Sequence, residues 1–226
     1  MPLYRSAPSA RLMVETLVVR DCRHAQIRIM YGDLTGVKAD VMVTGAGNRL
    51  AGREGVDSKM HDAAGPEMRA DLVKIAKIKR KTNEQPCPVG ENVMTKPYNL
   101  PAKIVIHAVG PDCRRPNQDL QRRELLQTVY DNLFETIAGL DDCETVVMPP
   151  LSMDIFSYPH REGARLTMGI VLPWLDGERD IGIRKLLMIT DQPNFINNMK
   201  TVYRESEDQF LGVDRTRDFR RGLLDD

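Results

Sequence analysis

The chain has 226 residues, 42% of them hydrophobic and 28% charged. That is the composition of an ordinary globular protein, with enough length for one domain to build its own core. Its 32 basic and 32 acidic residues cancel, which excludes an overall basic field that would attract nucleic acid or membrane nonspecifically. Cys22, Cys87, Cys113 and Cys143 are scattered without a CxxC pair, and His24, His61, His107 and His160 show no metal-ligand spacing. Neither a disulfide framework nor a metal site is therefore expected. The longest apolar stretch, residues 166–175, is interrupted by Gly169 and Pro173, so no membrane span is expected. MPLYRSAPSARL lacks the apolar core of a signal peptide, and the expectation is a cytoplasmic or nucleocytoplasmic protein with reduced thiols.

Residues 1–10 read as a flexible segment, 11–205 as one domain, and 206–226 as a mixed-charge tail. LMVETLVVR (12–20) and QIRIMY (26–31) read as strands, separated from the short buried strand ADVMVT (39–44) by the turn GDLTG. A glycine-rich loop, GAGNRLAGREG (45–55), leads into a helix on which Val56, Met60, Ala63 and Ala64 recur at helical spacing. Pro66 restarts a helix at a favourable first position. It ends in the basic run KIAKIKRK (74–81), the charge that suits a helix C-terminus. NVMTKPY and KIVIHAV (103–109) read as strands. In the long helix that follows, Leu125, Leu126, Val129, Leu133 and Ile137 share a face and Gly139 ends it. ETVVMPP (144–150) is a strand and LSMDIFSYP (151–159) a loop, followed by a helix from about Pro159, the strand KLLMIT (185–190) and a last helix over PNFINNMKTVYRE. Strands alternating with helices after an initial strand pair predict an α/β sandwich, with a mixed sheet covered by helices on both faces.

VMVTGAG resembles the strand-to-glycine turn of a dinucleotide fold, but Leu50 stands where the third glycine belongs, and that reading is weak. A longer series of words fits more of the chain. GDLT (32–35) is followed by ADVMV, GREGVDSKMHDAAGPEM (52–68), CPVGE (87–91), YNLPAKIVIHAVGP (98–111) and MPPLSMDIFSYP (148–159). This series resembles the macro domain family, particularly its MacroD-like branch, over about residues 27–205. The resemblance implies a three-layer α/β/α fold with a mainly parallel sheet. It also implies a ligand, ADP-ribose or an ADP-ribosylated protein, lying across the C-terminal ends of the strands. No cofactor is implied.

On the family's pattern, Asp33 accepts from the adenine amino group and the Leu34 N–H faces the ring; otherwise Asp33 only caps a turn. Two loops are expected to hold the diphosphate through backbone N–H groups. One is Gly52-Arg53-Glu54-Gly55-Val56, and the other is Ser152-Met153-Asp154-Ile155-Phe156-Ser157. Thr44, Gly45, Ala46 and Gly47 align with the word that holds the distal ribose, and Asn48, one residue later, is a substitute for its last position. Phe156 either packs near that ribose or is a core aromatic. Asp57 either orients a water for catalysis or caps the helix that starts there. His61 reads as structural.

Several positions depart from the pattern. Gly47 stands where the family has an asparagine, with Asn48 one residue later. Asp154 and Ser157 replace glycines, and Thr190-Asp191 replaces an aromatic expected to stack on the base. A carboxylate at Asp154 would repel phosphate if it pointed inward, and Glu54 poses the same question, with Arg53 placed to offset it. Three functions follow: hydrolysis of mono-ADP-ribose from protein side chains, binding of ADP-ribose or another nucleotide without turnover, and a fold kept for assembly.

Overall fold

A computed structural model describes residues 14–81 and 84–205. The expected N-terminal segment, the first residues of the first strand and the C-terminal tail lie outside these residues. Seven strands form one sheet: β1 (Glu15–Asp21), β2 (Gln26–Tyr31), β3 (Val41–Gly45), β4 (Asn92–Thr95), β5 (Ile104–Ala108), β6 (Thr145–Met148) and β7 (Lys185–Thr190). Their order is β1-β2-β7-β6-β3-β5-β4. β2, β7, β6, β3 and β5 run parallel, while β1 and β4 pair antiparallel at the two edges.

The parallel strands alternate strictly between two cores. Val41, Val43, Ile106, Ala108, Val146, Met148, Leu186 and Met188 face one side, and Met42, Val105, Val147 and Ile189 face the other. This period of two buries both faces of every central strand. The first side is covered by α4 (Arg122–Ala138), α5 (His160–Leu175) and α6 (Pro193–Glu205), and the second by α1 (Gly55–Ala64) and α2 (Pro66–Lys81). The three-layer sandwich is thus the observed architecture.

The long helix expected to end at Gly139 is α4. Its buried face holds Leu126, Val129, Leu133 and Ile137 as expected, together with Tyr130 and Phe134. Leu125 is only partly buried. Phe134 stacks on Trp174 of α5 with ring centroids 4.0 Å apart. A short helix not foreseen, α3 (Pro116–Leu120), starts with a proline at its first position. Lys79, Arg80 and Lys81 fall in the last turn of α2, where they complement the helix dipole. The four cysteines are free thiols, and burial pushes Cys22 and Cys87 up to about 12. Among the described residues, no helix is long and apolar enough to cross a membrane.

One carboxylate ties the starts of three central strands. Asp40 Oδ2 accepts from the Glu144 and Thr145 N–H groups at 3.0 and 2.9 Å. Its Oδ1 pairs with Lys103 Nζ at 2.9 Å. These contacts fix β3, β5 and β6 at one edge and so set how far each reaches at the other. Partial burial pushes the Asp40 carboxyl up, but Lys103 and the two N–H groups outweigh it and hold it below its ordinary value. Asp40→Ala is therefore expected to lose about 2 kcal/mol at neutral pH, the scale of hydrogen bonds to a charged group. The loss is present above the ordinary carboxylate pKa of about 4 and disappears as pH falls through the lower folded value. Urea unfolding of both proteins from pH 7 to pH 3 checks this, because the two stabilities should converge in acid.

Candidate functional site

Between β3 and β6 the chain reverses its direction of travel across the sheet. From β3 it proceeds to β4 and back to β5 on one side, then crosses to β6 and β7 on the other. The loops leaving the carboxyl ends of β3 and β6 part there and leave a crevice. A groove of about 320 Å³ occupies it, reaching from Gly45 and Gly47 after β3 to Gly110 after β5 and Pro150 after β6. A larger concavity of about 740 Å³ lies on the outer surface of α4 and α5, away from the strand ends.

The groove's first wall is the loop that enters α1. Gly52 and Gly55 have φ of 57° and 58°, the left-handed region that favours glycine. Space demands glycine as well. A Cβ on Gly52 would collide with the His61 ring, and one on Gly55 with the side chains of Asp154 and Ile155. The backbone thus turns closely enough for the N-terminus of α1 to face the groove, and the helix dipole favours an anion there. Arg53 and Glu54 are exposed at the rim. The opposite wall is the loop after β6. Ser152 and Ser157 adopt φ of 64° and 55°, so Ser157 retains a left-handed conformation without being glycine. The Ser152 hydroxyl is buried without a hydrogen-bond partner among the described residues, and Ser152 lines the groove.

Asp57 sits in the groove wall and is 4% exposed. It lies two residues inside α1 and does not cap it. The residue at the cap position is Glu54, which makes no side-chain capping bond. The Asp57 carboxylate turns inward instead, and its Oδ1 accepts from the Thr44 hydroxyl at 3.1 Å. His61 Nε2 and His107 Nδ1 lie 3.7 and 3.9 Å from the same oxygen. The two imidazoles meet edge to face at 5.8 Å. His107 Nε2 is held by the Thr95 hydroxyl at 3.0 Å, whereas both nitrogens of His61 and Nδ1 of His107 lack hydrogen-bond partners among the described residues. Burial pushes the His61 pKa down against the pull of the Asp57 charge, so its ring stays neutral at neutral pH. Each of the three side chains offers one ligand atom, all within 4.8 Å of one another, a donor set able to hold a cation. Chain spacing concealed this group. Asp57 and His61 share a helix face four residues apart, but His107 arrives on β5.

A second, smaller compartment of about 30 Å³ adjoins the groove and shares Val56, Pro150 and Asp154 with it. Asp33 and Leu34 line this compartment. Asp33 Oδ1 accepts from the N–H and the hydroxyl of Thr35, both at 2.9 Å, so the turn-capping role is real and occupies one carboxylate oxygen. Where the sequence lacks an aromatic, Asp191 pairs with Lys59 of α1 across the compartment.

Of the residues expected at the site, Gly45, Gly47, Asn48, Gly52, Gly55, Val56, Asp57, Ser152, Asp154, Ile155 and Phe156 line the main groove. Ala46 and Met153 are buried in the two cores, and Ser157 is exposed outside the lining. Sequence reasoning missed Asp112, Arg114, Arg115 and Gln118, which line the groove from the segment after β5. Arg114 forks onto Asp112 at 2.8 and 3.0 Å. Its guanidinium also lies 5.6 Å from the centre of the Phe156 ring and 3.6 Å from Glu54. Phe156 is thus a groove aromatic under a cation rather than a core residue. Burial pushes Asp112 up, but Arg114 and Arg115 outweigh it and hold the carboxyl below its usual value. The only sequence signal for this cluster was the basic pair in PDCRRPN.

Comparison with known proteins agrees with this fold. The Macro domain family model matches residues 43–167. The O-acetyl-ADP-ribose deacetylase of Citrobacter koseri is 34% identical over 151 residues, which cover 67% of this chain and 81% of that protein. The Oceanobacillus iheyensis macrodomain with ADP matches 87% of this chain and 99% of its own, with a TM-score of 0.74 and 24% identity. The Trypanosoma brucei macrodomain in complex with ADP-ribose matches 79% and 68% respectively, with a TM-score of 0.63 and 24% identity. Both solved structures share the sandwich described above. With the family model spanning more than half of the sequence and the curated relative two thirds of it, this chain belongs to the Macro domain family.

Proposed function

We propose that this chain binds ADP-ribose along the groove and hydrolyses an ester on its distal ribose. The observation that carries the proposal is the buried Asp57 carboxylate in a groove wall whose glycine-backed turn presents a helix N-terminus to an anion. Adenine would set only its edge into the small compartment of Asp33 and Leu34, with the diphosphate on the two loops and the distal ribose at the end near Asp57 and Phe156. An ester between that ribose and a carboxylic acid is the bond shared by O-acetyl-ADP-ribose and by a protein carboxylate modified with ADP-ribose.

In this reading, Asp57 accepts a proton from a water as the water attacks the ester carbonyl carbon. The bond from that carbon to the ribose oxygen then breaks, and the proton passes to the departing ribose hydroxyl. Thr44 fixes the carboxylate's orientation, and a neutral His61 leaves Asp57 free of a competing ion pair. The ester's acid component would be a protein side chain or an acetyl group.

Gly47 favours a second reading, binding without turnover, because it offers no side chain to position the ribose. The two readings separate in one experiment. Calorimetric titration with ADP-ribose, with ADP and AMP as controls, is expected to show saturable binding that prefers ADP-ribose. Asp57→Ala is expected to keep that binding while ester hydrolysis falls by about 10²- to 10⁴-fold, the usual contribution of a general base. Wild-type protein that binds but never turns over would establish the second reading. Absence of binding by all three nucleotides would refute both.

Gly47 supplies a further prediction. A Cβ there meets nothing within 4 Å, and its φ lies outside the left-handed region. Gly47→Asn should therefore fold normally and place an amide in the groove. Turnover is expected to rise about tenfold or more, as better orientation of the reacting groups would give. Unchanged single-turnover rates with a bound ester substrate would show that ribose positioning does not limit this protein.

A further inference from the structure

We infer that Asp154 is a specificity-determining residue whose carboxylate occupies the phosphate cradle as an internal anion, so that a diphosphate enters only by displacing it. The inference rests on the ADP-ribose reading above and adds a barrier to it.

The geometry comes from both walls of the groove. α1 begins at Gly55 without a side-chain cap from Glu54, which leaves its first N–H groups to be satisfied from elsewhere. Asp154 crosses from the loop after β6 and packs on Gly55 so closely that a Cβ there would strike its carboxylate. Its carboxylate lies against the first turn of α1, where the Val56 N–H helps to hold its charge. It therefore places a negative charge at the N-terminus of α1 from across the groove, where a bound anion would sit.

Location gives that contact its consequence. Asp154, Val56 and Pro150 are the residues common to the main groove and the small compartment. A ligand with its base in one and its distal ribose in the other must pass its linking diphosphate over this junction. Phosphate and carboxylate would then compete for the same N–H groups, with like charges repelling. The charged side chains around Asp154 do little to relieve this. Lys59 of α1 is already paired with Asp191 after β7, and His160 of α5 hydrogen-bonds the Met153 carbonyl at 2.6 Å. Burial and the Asp191 charge push the Asp154 carboxyl up, against Lys59, the Val56 N–H and His160. The carboxylate is thus held under electrostatic pressure at the one point where the ligand would bring more negative charge.

The test is ADP-ribose affinity by calorimetry in wild type, Asp154→Gly and Asp154→Asn, with thermal unfolding of each. Asp154 is not in the left-handed region, so glycine there opens the cradle without relieving any strain. Asp154→Gly is expected to bind about ten- to a hundredfold more tightly, the range set by removing one charged hydrogen-bond competitor. Asp154→Asn keeps the shape and an acceptor but loses the charge, and should gain an intermediate amount. If glycine impairs folding, the asparagine variant decides alone. Affinities within twofold of wild type in both variants, with clear saturable binding, would overturn the inference and leave the ADP-ribose reading standing. No binding by any of the three would overturn both.

Discussion

The crevice exists because the chain reverses direction between β3 and β6. Two parallel strands lie side by side there, and the segments leaving them go to different parts of the sheet. One becomes the glycine turn into α1, the other the loop of Ser152 to Ser157. Each wall of the groove is then anchored to a strand buried on both faces. This rigidity lets the loops carry conformations that would be unfavourable alone, including the left-handed serines at 152 and 157. The Asp40 contacts at the opposite edge serve the same end by fixing where these strands begin.

Below the groove, polar groups replace packing. Asp57, His61 and His107 are each at most 4% exposed, and among the described residues only two threonine hydroxyls, from Thr44 and Thr95, hold them. Buried nitrogens left without partners are destabilising, by about 1–3 kcal/mol each. A core built for stability alone would use apolar residues here, as its surroundings do. The retained polarity sits beside the groove and makes sense as chemistry directed at whatever enters it. The glycine at position 52 belongs to the same arrangement, since it gives the His61 ring its room.

Much of this was legible in the sequence. The apolar runs in VMVT, KIVIHAV and KLLMIT and the periodicity of α4 depend on local pattern, and those elements appeared where the pattern put them. The glycine turn was readable because Gly52 and Gly55 have a conformational reason to be glycine. What stayed hidden depends on contacts between distant segments. His107 looked like one residue of a strand until β5 brought it beside α1. Arg114 carried no periodic signal, yet it spans the groove mouth from Asp112 to Phe156. Leu125 was read into a helix face that Tyr130 and Phe134 fill instead. Asp154 raised a question of direction that only the position of its side chain could answer.

The stacked pair on the other side of the sheet bears on how this protein can be watched. Trp174 is the chain's single tryptophan, and it lies flat on Phe134 between α4 and α5. It has no part in the groove lining. Its emission therefore reports the integrity of the helical layer and is silent about events at the strand ends. Intrinsic fluorescence separates loss of the fold from filling of the site, a distinction that a tryptophan in the groove would have blurred.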